Sequence, residues 1–155
     1  MLKERLIDFK IKSLLLKGIL FSKFKIFFGG DILITTNCST NCRFCIYSNL
    51  KKEEMSLDII KKVISFYKKI GLRNLRISGG EPFQTYGKLL FTLNESFKYY
   101  NKDKVSLITS LNWASTRKIT KQLFKPLIQM GLRKIIISID AFHLEKINIK
   151  NYIND

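Results

Sequence analysis

A chain of 155 residues with 46% apolar and 26% charged side chains has the profile of one globular domain, too short for two and too mixed for a disordered segment. No run approaches the ~18 consecutive apolar residues of a membrane span, and the start lacks a signal-peptide layout because Glu4 and Asp8 interrupt it. The net charge of +16 comes mostly from lysines scattered along the chain, with Arg only at 5, 43, 73, 76, 117 and 133, so no dedicated nucleic-acid site is expected.

Residues 1–30 read as a basic amphipathic segment in which Leu2, Leu6 and Phe9 alternate with Lys3, Arg5 and Lys10. It suits packing across one end of the domain better than a membrane surface. A core over 31–155 follows. Its first strand is predicted at Asp31–Thr36 and runs into a loop that holds all three cysteines. Ser56 is placed to cap a helix whose apolar face is Ile60, Val63, Ile64, Tyr67 and Ile70, with Gly71 at its stop. Leu75 and Ile77 mark a second strand ending at Ser78. Tyr86, Leu89, Leu90, Leu93 and Phe97 mark a second helix, and Val105, Leu107 and Thr109 a third strand. Helical spacing over Thr116–Met130 meets Pro126, which is expected to kink or restart the helix. Ile135–Ile139 reads as a strand buried on both faces.

The stretch Gly71-Leu72-Arg73-Asn74-Leu75-Arg76-Ile77-Ser78 has an echo in Gly131-Leu132-Arg133-Lys134-Ile135-Ile136-Ile137-Ser138. Each copy reads as a helix stop, a turn, an apolar strand and a terminal Ser. The fold class is therefore α/β, with about four parallel βα units after the N-terminal segment. Four strands are too few to close an eight-stranded barrel. The apolar fourth strand would leave an open edge, to be covered by a partner chain, by self-association or by residues 1–28.

Cys38, Cys42 and Cys45 sit in a polar loop with Ser39, Thr40, Asn41 and Arg43. In a reducing, cytoplasmic setting such thiols are metal ligands more often than disulfides. Three thiolates fill three corners of a four-iron cluster and leave one iron open. Zinc would want a fourth ligand, and the only histidine is the distant His143. A dithiol of Cys42 and Cys45 would leave Cys38 unused.

Cys-x3-Cys-x2-Cys after a first strand, with Phe44 before the last Cys, resembles the signature of the radical S-adenosylmethionine (radical SAM) superfamily. The resemblance implies a partial (β/α) barrel, a [4Fe–4S] cluster on Cys38, Cys42 and Cys45, and S-adenosylmethionine on the open iron. It further implies reductive cleavage of that cofactor and abstraction of a substrate hydrogen, with electrons from a flavodoxin- or ferredoxin-like protein. Gly79-Gly80-Glu81-Pro82 lies where the family contacts the cofactor's amino group, so the Gly79–Gly80 backbone and the Glu81 carboxylate are expected to hold the methionine moiety. Phe44 and Pro82 join the expected cofactor-binding set. Thr109-Ser110-Leu111-Asn112 stands where relatives have a Thr-Asn-Gly turn, which leaves Asn112 without an assigned role. Ser138 and Asp140 resemble the Ser-x-Asp that reaches the ribose hydroxyls; Tyr47 is placed either beside the adenine or in packing, and His143 reads as a partly exposed loop residue, with substrate contact as the alternative. The family usually builds six βα units, so a minimal domain, one completed by a partner, and a fragment are all open. Peptide modification or cofactor biosynthesis on a small molecule is the expected activity. The alternatives are an activase for a glycyl-radical enzyme, or a non-catalytic iron–sulfur or zinc module.

Overall fold

The computed structural model describes residues 29–144. The amphipathic helix expected over residues 1–28 lies outside the described residues.

Four strands form one parallel sheet in the order β1-β2-β3-β4: β1 Gly29–Leu33, β2 Asn74–Ser78, β3 Val105–Thr109 and β4 Lys134–Ile137. Helices α1 (Leu57–Lys69), α2 (Tyr86–Phe97) and α3 (Arg117–Met130) connect them, and a four-residue helix α4 (Ala141–Leu144) follows β4. Ile32 pairs with Ile77, Ile77 with Leu107, and Leu107 with Ile135, so one apolar row crosses the sheet. Ile32, Leu75, Ile77, Val105 and Leu107 are enclosed beneath Ile60, Ile64, Leu89, Leu93 and Leu127 of the helices. The opposite face mixes Leu33, Ile108 and Ile136 with polar groups and carries Asp31 in a two-pronged pair with Arg76 (Nε to Oδ1 2.7 Å). The Asp31 contact raises the Arg76 pKa, although so exposed a pair adds little stability.

Both copies of the internal echo stop a helix in the same way. Gly71 (φ +86°) and Gly131 (φ +108°) take the left-handed conformation, and Leu72 N and Leu132 N each donate 3.0 Å back to Tyr67 O and Leu127 O. Three residues later each chain enters its strand.

Three expectations need correction. The first strand begins at Gly29 and ends at Leu33; only Ile34 N, donating to Ser78 O at 3.0 Å, continues the ladder before the chain turns. Helix α3 runs through Pro126 without a break, because Leu127 beside it is fully buried and its packing outweighs one lost backbone bond. The fourth strand is not buried on both faces: Ile136 is 38% and Ile137 45% exposed, since β4 is the last strand of the sheet.

Candidate active site

The loop after β1 is closed at its neck by two threonines. Thr36 N donates to Glu53 O at 2.9 Å, Glu53 N returns to Thr36 Oγ1 at 2.8 Å, and Met55 N donates to Ile34 O at 2.9 Å. Thr35 Oγ1 adds a bond to Glu53 O at 3.0 Å. Residues 37–52 therefore form a closed excursion above the strand ends, and the cysteines lie within it.

The Gly79–Pro82 turn is pressed against this loop. Gly80 N donates to Thr35 O and Glu81 N to Asn37 O, each at 2.7 Å. A Cβ on Gly79 would fall 2.7 Å from Thr35 O, and one on Gly80 2.3 Å from Asn37 O. Only glycine permits this approach. Pro82 opens a short 3-10 turn, Pro82–Thr85, where its missing N–H costs nothing.

Glu81 is fully buried, and its carboxylate is occupied by the protein itself. Oε1 accepts from Thr109 Oγ1 at 2.8 Å and from Phe83 N at 3.3 Å; Oε2 accepts from Ser110 N at 2.9 Å and Ser110 Oγ at 2.8 Å. Four donors account for about four acceptor sites of a carboxylate. In this structure the Glu81 carboxylate ties the end of β2 to the end of β3. The Gly79–Gly80 backbone remains beside the cysteine loop. Trp113 Nε1 donates 2.9 Å to the same Thr109 Oγ1, and its ring stacks on Phe83 with centroids 3.8 Å apart, fixing the turn after β3.

Asn112 in that turn and Gln84 in the Pro82–Thr85 turn are two residues the sequence left without a role. Asn112 Nδ2 donates to Ser39 Oγ at 3.1 Å and to Thr40 Oγ1, while Gln84 Nε2 donates to Ser39 Oγ at 2.6 Å. The cysteine loop is thus latched to the ends of both β2 and β3. The missed signal lay in Ser39 and Thr40, short hydroxyls between two cysteines that need partners once the loop packs. Leu111 stands at φ +61° and Asn41 at φ +45°, left-handed positions that asparagine tolerates and leucine does not.

All three cysteines are free thiols and line one cavity of about 130 Å³ together with Thr36, Gly80, Ser110 and Lys52. Burial pushes the Cys42 thiol up, and neighbouring Cys38, Cys45 and Asp140 push in the same direction. Phe44, 65% exposed, and Tyr47 stand in the cavity wall. On the β4 side Phe142 meets Phe44 with ring centroids 4.5 Å apart, and His143 faces the cavity beside it. Ser138 continues the ladder through its backbone, N to Thr109 O at 3.0 Å. Asp140 turns its carboxylate onto α4: Oδ1 accepts from Phe142 N and His143 N at 3.0 Å each, and Oδ2 lies 2.7 Å from His143 Nδ1. The His143 N–H bond is the first cause that holds the Asp140 pKa below its ordinary value.

A family model described as the radical SAM superfamily matches residues 32–155. The chain belongs to that superfamily. A GTP 3′,8-cyclase of Staphylococcus epidermidis (strain ATCC 35984) is 26% identical over 132 residues, covering 77% of this chain and 37% of that protein. Another, from Rhizobium meliloti (strain 1021), is 24% identical over 120 residues, covering 74% and 33%. The chain spans about a third of the length of these curated relatives. Its fold matches the crystal structure of BtrN in complex with AdoMet and 2-DOIA at a TM-score of 0.58, with 14% identity over 80% of this chain and 56% of that one. The sheet and its alternating helices are accordingly part of a radical SAM barrel.

Members of this superfamily use a [4Fe–4S] cluster and S-adenosylmethionine, and the donor set here fits them. Three free thiols share a cavity with glycine backbone on one wall and a lysine on another. In a cubane each thiolate takes its own iron, so the sulfurs spread over a face and need not meet at one point. Among the described residues no three His, Cys, Asp or Glu side chains gather closely enough to share a single ion, an arrangement zinc would require. No described helix is long and apolar enough to cross a membrane.

Proposed function

We propose that this chain carries the cluster- and cofactor-binding part of a radical SAM enzyme, with Cys38, Cys42 and Cys45 as the cluster ligands. The observation that carries the reading is the clamp between two motifs. The loop of three free cysteines is bonded to the Gly-Gly turn through Gly80 N and Glu81 N, so ligand loop and cofactor loop are one rigid unit. When bound, the cluster supplies one electron that cleaves S-adenosylmethionine to methionine and an adenosyl fragment able to take a hydrogen atom from substrate. Cys38, Cys42 and Cys45 hold the cluster by three corners. The Gly79–Gly80 backbone lines the methionine end, Ser110 and Ser138 stand at the ends of β3 and β4, and Phe44 with Phe142 screens the cavity from water. An acidic flavodoxin- or ferredoxin-like donor suits the rim, where exposed Phe44 and Ile46 lie among Arg43, Lys51 and Lys52. The GTP 3′,8-cyclase relatives support a small-molecule substrate over a peptide. The exposed edge of β4 supports pairing with a strand of a partner chain or a second copy.

Anaerobic reconstitution tests the reading. The parent should take up about four irons per chain and show broad visible absorption that bleaches on reduction. S-adenosylmethionine should then perturb the electron-spin signal and yield 5′-deoxyadenosine. Cys42→Ala should lose the absorption. Stoichiometric zinc with no iron uptake would overturn the proposal.

A further inference from the structure

The sequence offered Asp140 as the group that reaches a bound ligand, yet both of its oxygens are engaged on its own helix. A carboxylate can only accept, so the 2.7 Å contact places a proton of His143 on Nδ1, and in the neutral ring Nε2 is then the acceptor. His143 lines the same cavity as the three cysteines, and its side chain is only 24% exposed. Among the described residues Nε2 has no partner. A ring in the cavity lining, oriented by a carboxylate and with no partner for Nε2 among the described residues, forms a built contact rather than a loop residue.

The strand order says which part of a ligand would meet it. The cavity is lined in turn by Gly80 at the end of β2, Ser110 after β3, and Phe142 and His143 after β4. Two inter-strand spacings, about 10 Å, separate the Gly80 wall from the His143 wall. The inference rests on the proposed cofactor: its methionine end lies at the open iron beside Gly79–Gly80, so the adenosyl end must extend across β3 toward β4. That end carries hydroxyl and amino donors, which suit an accepting nitrogen.

We infer that His143 is a cofactor-contact residue whose Nε2 accepts a hydrogen bond from the adenosyl moiety of S-adenosylmethionine, and that Asp140 is the positioning residue that holds it there.

The test is the S-adenosylmethionine affinity of the reconstituted, reduced chain, read from the titrated change in the cluster's electron-spin signal, with iron content and circular dichroism checked for every variant. His143→Ala should weaken binding about tenfold, a usual effect of losing one ligand hydrogen bond, with iron content unchanged. His143→Gln, which keeps an acceptor, should weaken it less. Asp140→Asn preserves the helix cap but not the tautomer, and should weaken binding as well. The double variant Asp140→Asn/His143→Ala should be no worse than His143→Ala alone, because Asp140 acts through the ring. Affinity of His143→Ala within twofold of the parent overturns the inference while leaving the proposed function standing. Additive losses in the double variant overturn the positioning role of Asp140. A parent that holds four irons but does not bind S-adenosylmethionine overturns the proposed function and the inference with it.

Discussion

Replacing Glu81 separates a ligand contact from a structural tie, because the two make opposite predictions for the chain before any cluster is loaded. The carboxylate accepts three bonds of 2.8–2.9 Å and one of 3.3 Å, and the residue is fully buried. Glu81→Ala removes all four and strands the Ser110 N–H without a partner. A bond to a charged acceptor is worth about 1.5–3 kcal/mol and an orphaned buried N–H costs about 1–3 kcal/mol. Neighbouring terms in one network do not add, so the total should be about 3–5 kcal/mol. Whole domains are stable by roughly 5–15 kcal/mol, and urea slopes are about 1–3 kcal/mol per molar, so the unfolding midpoint should fall by roughly 2 M. Glu81→Gln keeps one oxygen for Ser110 and should fall by less. Urea titration of the unloaded chain, followed by circular dichroism, measures both. If unloaded Glu81→Ala unfolds at the parent's midpoint while the loaded protein binds S-adenosylmethionine more weakly, the tie is refuted and the side chain belongs to the ligand.

Gly80→Ala should abolish iron uptake on reconstitution and lower stability by about 1–3 kcal/mol, since its Cβ would lie 2.3 Å from Asn37 O and push the cysteine loop away. Leu111→Gly should raise stability by up to about 1 kcal/mol, read as a slightly higher urea midpoint, because it relieves a left-handed leucine at φ +61°; a lower midpoint would mean that the leucine side chain packs better than its backbone suffers. Asn112→Ala should leave the fold within about 1 kcal/mol of the parent but speed iron loss to a chelator several-fold, because the loop loses its bonds to the β3 side.

Local signals made much of the fold legible. Ser56 does cap α1, its Oγ accepting from Ile59 N at 3.3 Å, and Gly71 and Gly131 do stop helices, because caps and left-handed glycines depend on near neighbours alone. The errors came where tertiary context decides. An isoleucine run reads the same in the middle of a sheet and at its edge, so the exposure of Ile136 and Ile137 could be known only from the strand order. Pro126 broke a local rule, and the burial of Leu127 outweighed it.

The candidate site divides along the same line. Chemistry-bearing residues in one loop, Cys38, Cys42 and Cys45, could be found by spacing; partners supplied by other strands could not. Glu81 was legible as important but its protein contacts were not, because a carboxylate after two glycines says nothing about the Thr109–Ser110 donors waiting one strand away. Asn112 stood in a departure from the relatives' turn and Gln84 in no motif, yet they hold Ser39 from two directions. Together these contacts bind the ends of β2 and β3 to the cysteine loop by Gly80, Glu81, Gln84 and Asn112, whereas β4 reaches the same loop through the Phe142–Phe44 contact. His143 is held within its own wall by Asp140, and among the described residues that wall meets the cysteine loop through aromatic packing. On the proposed function, the β4 wall can shift as a unit toward the adenosyl end of the cofactor without breaking the bonds that Gly80, Glu81, Gln84 and Asn112 make around the thiols.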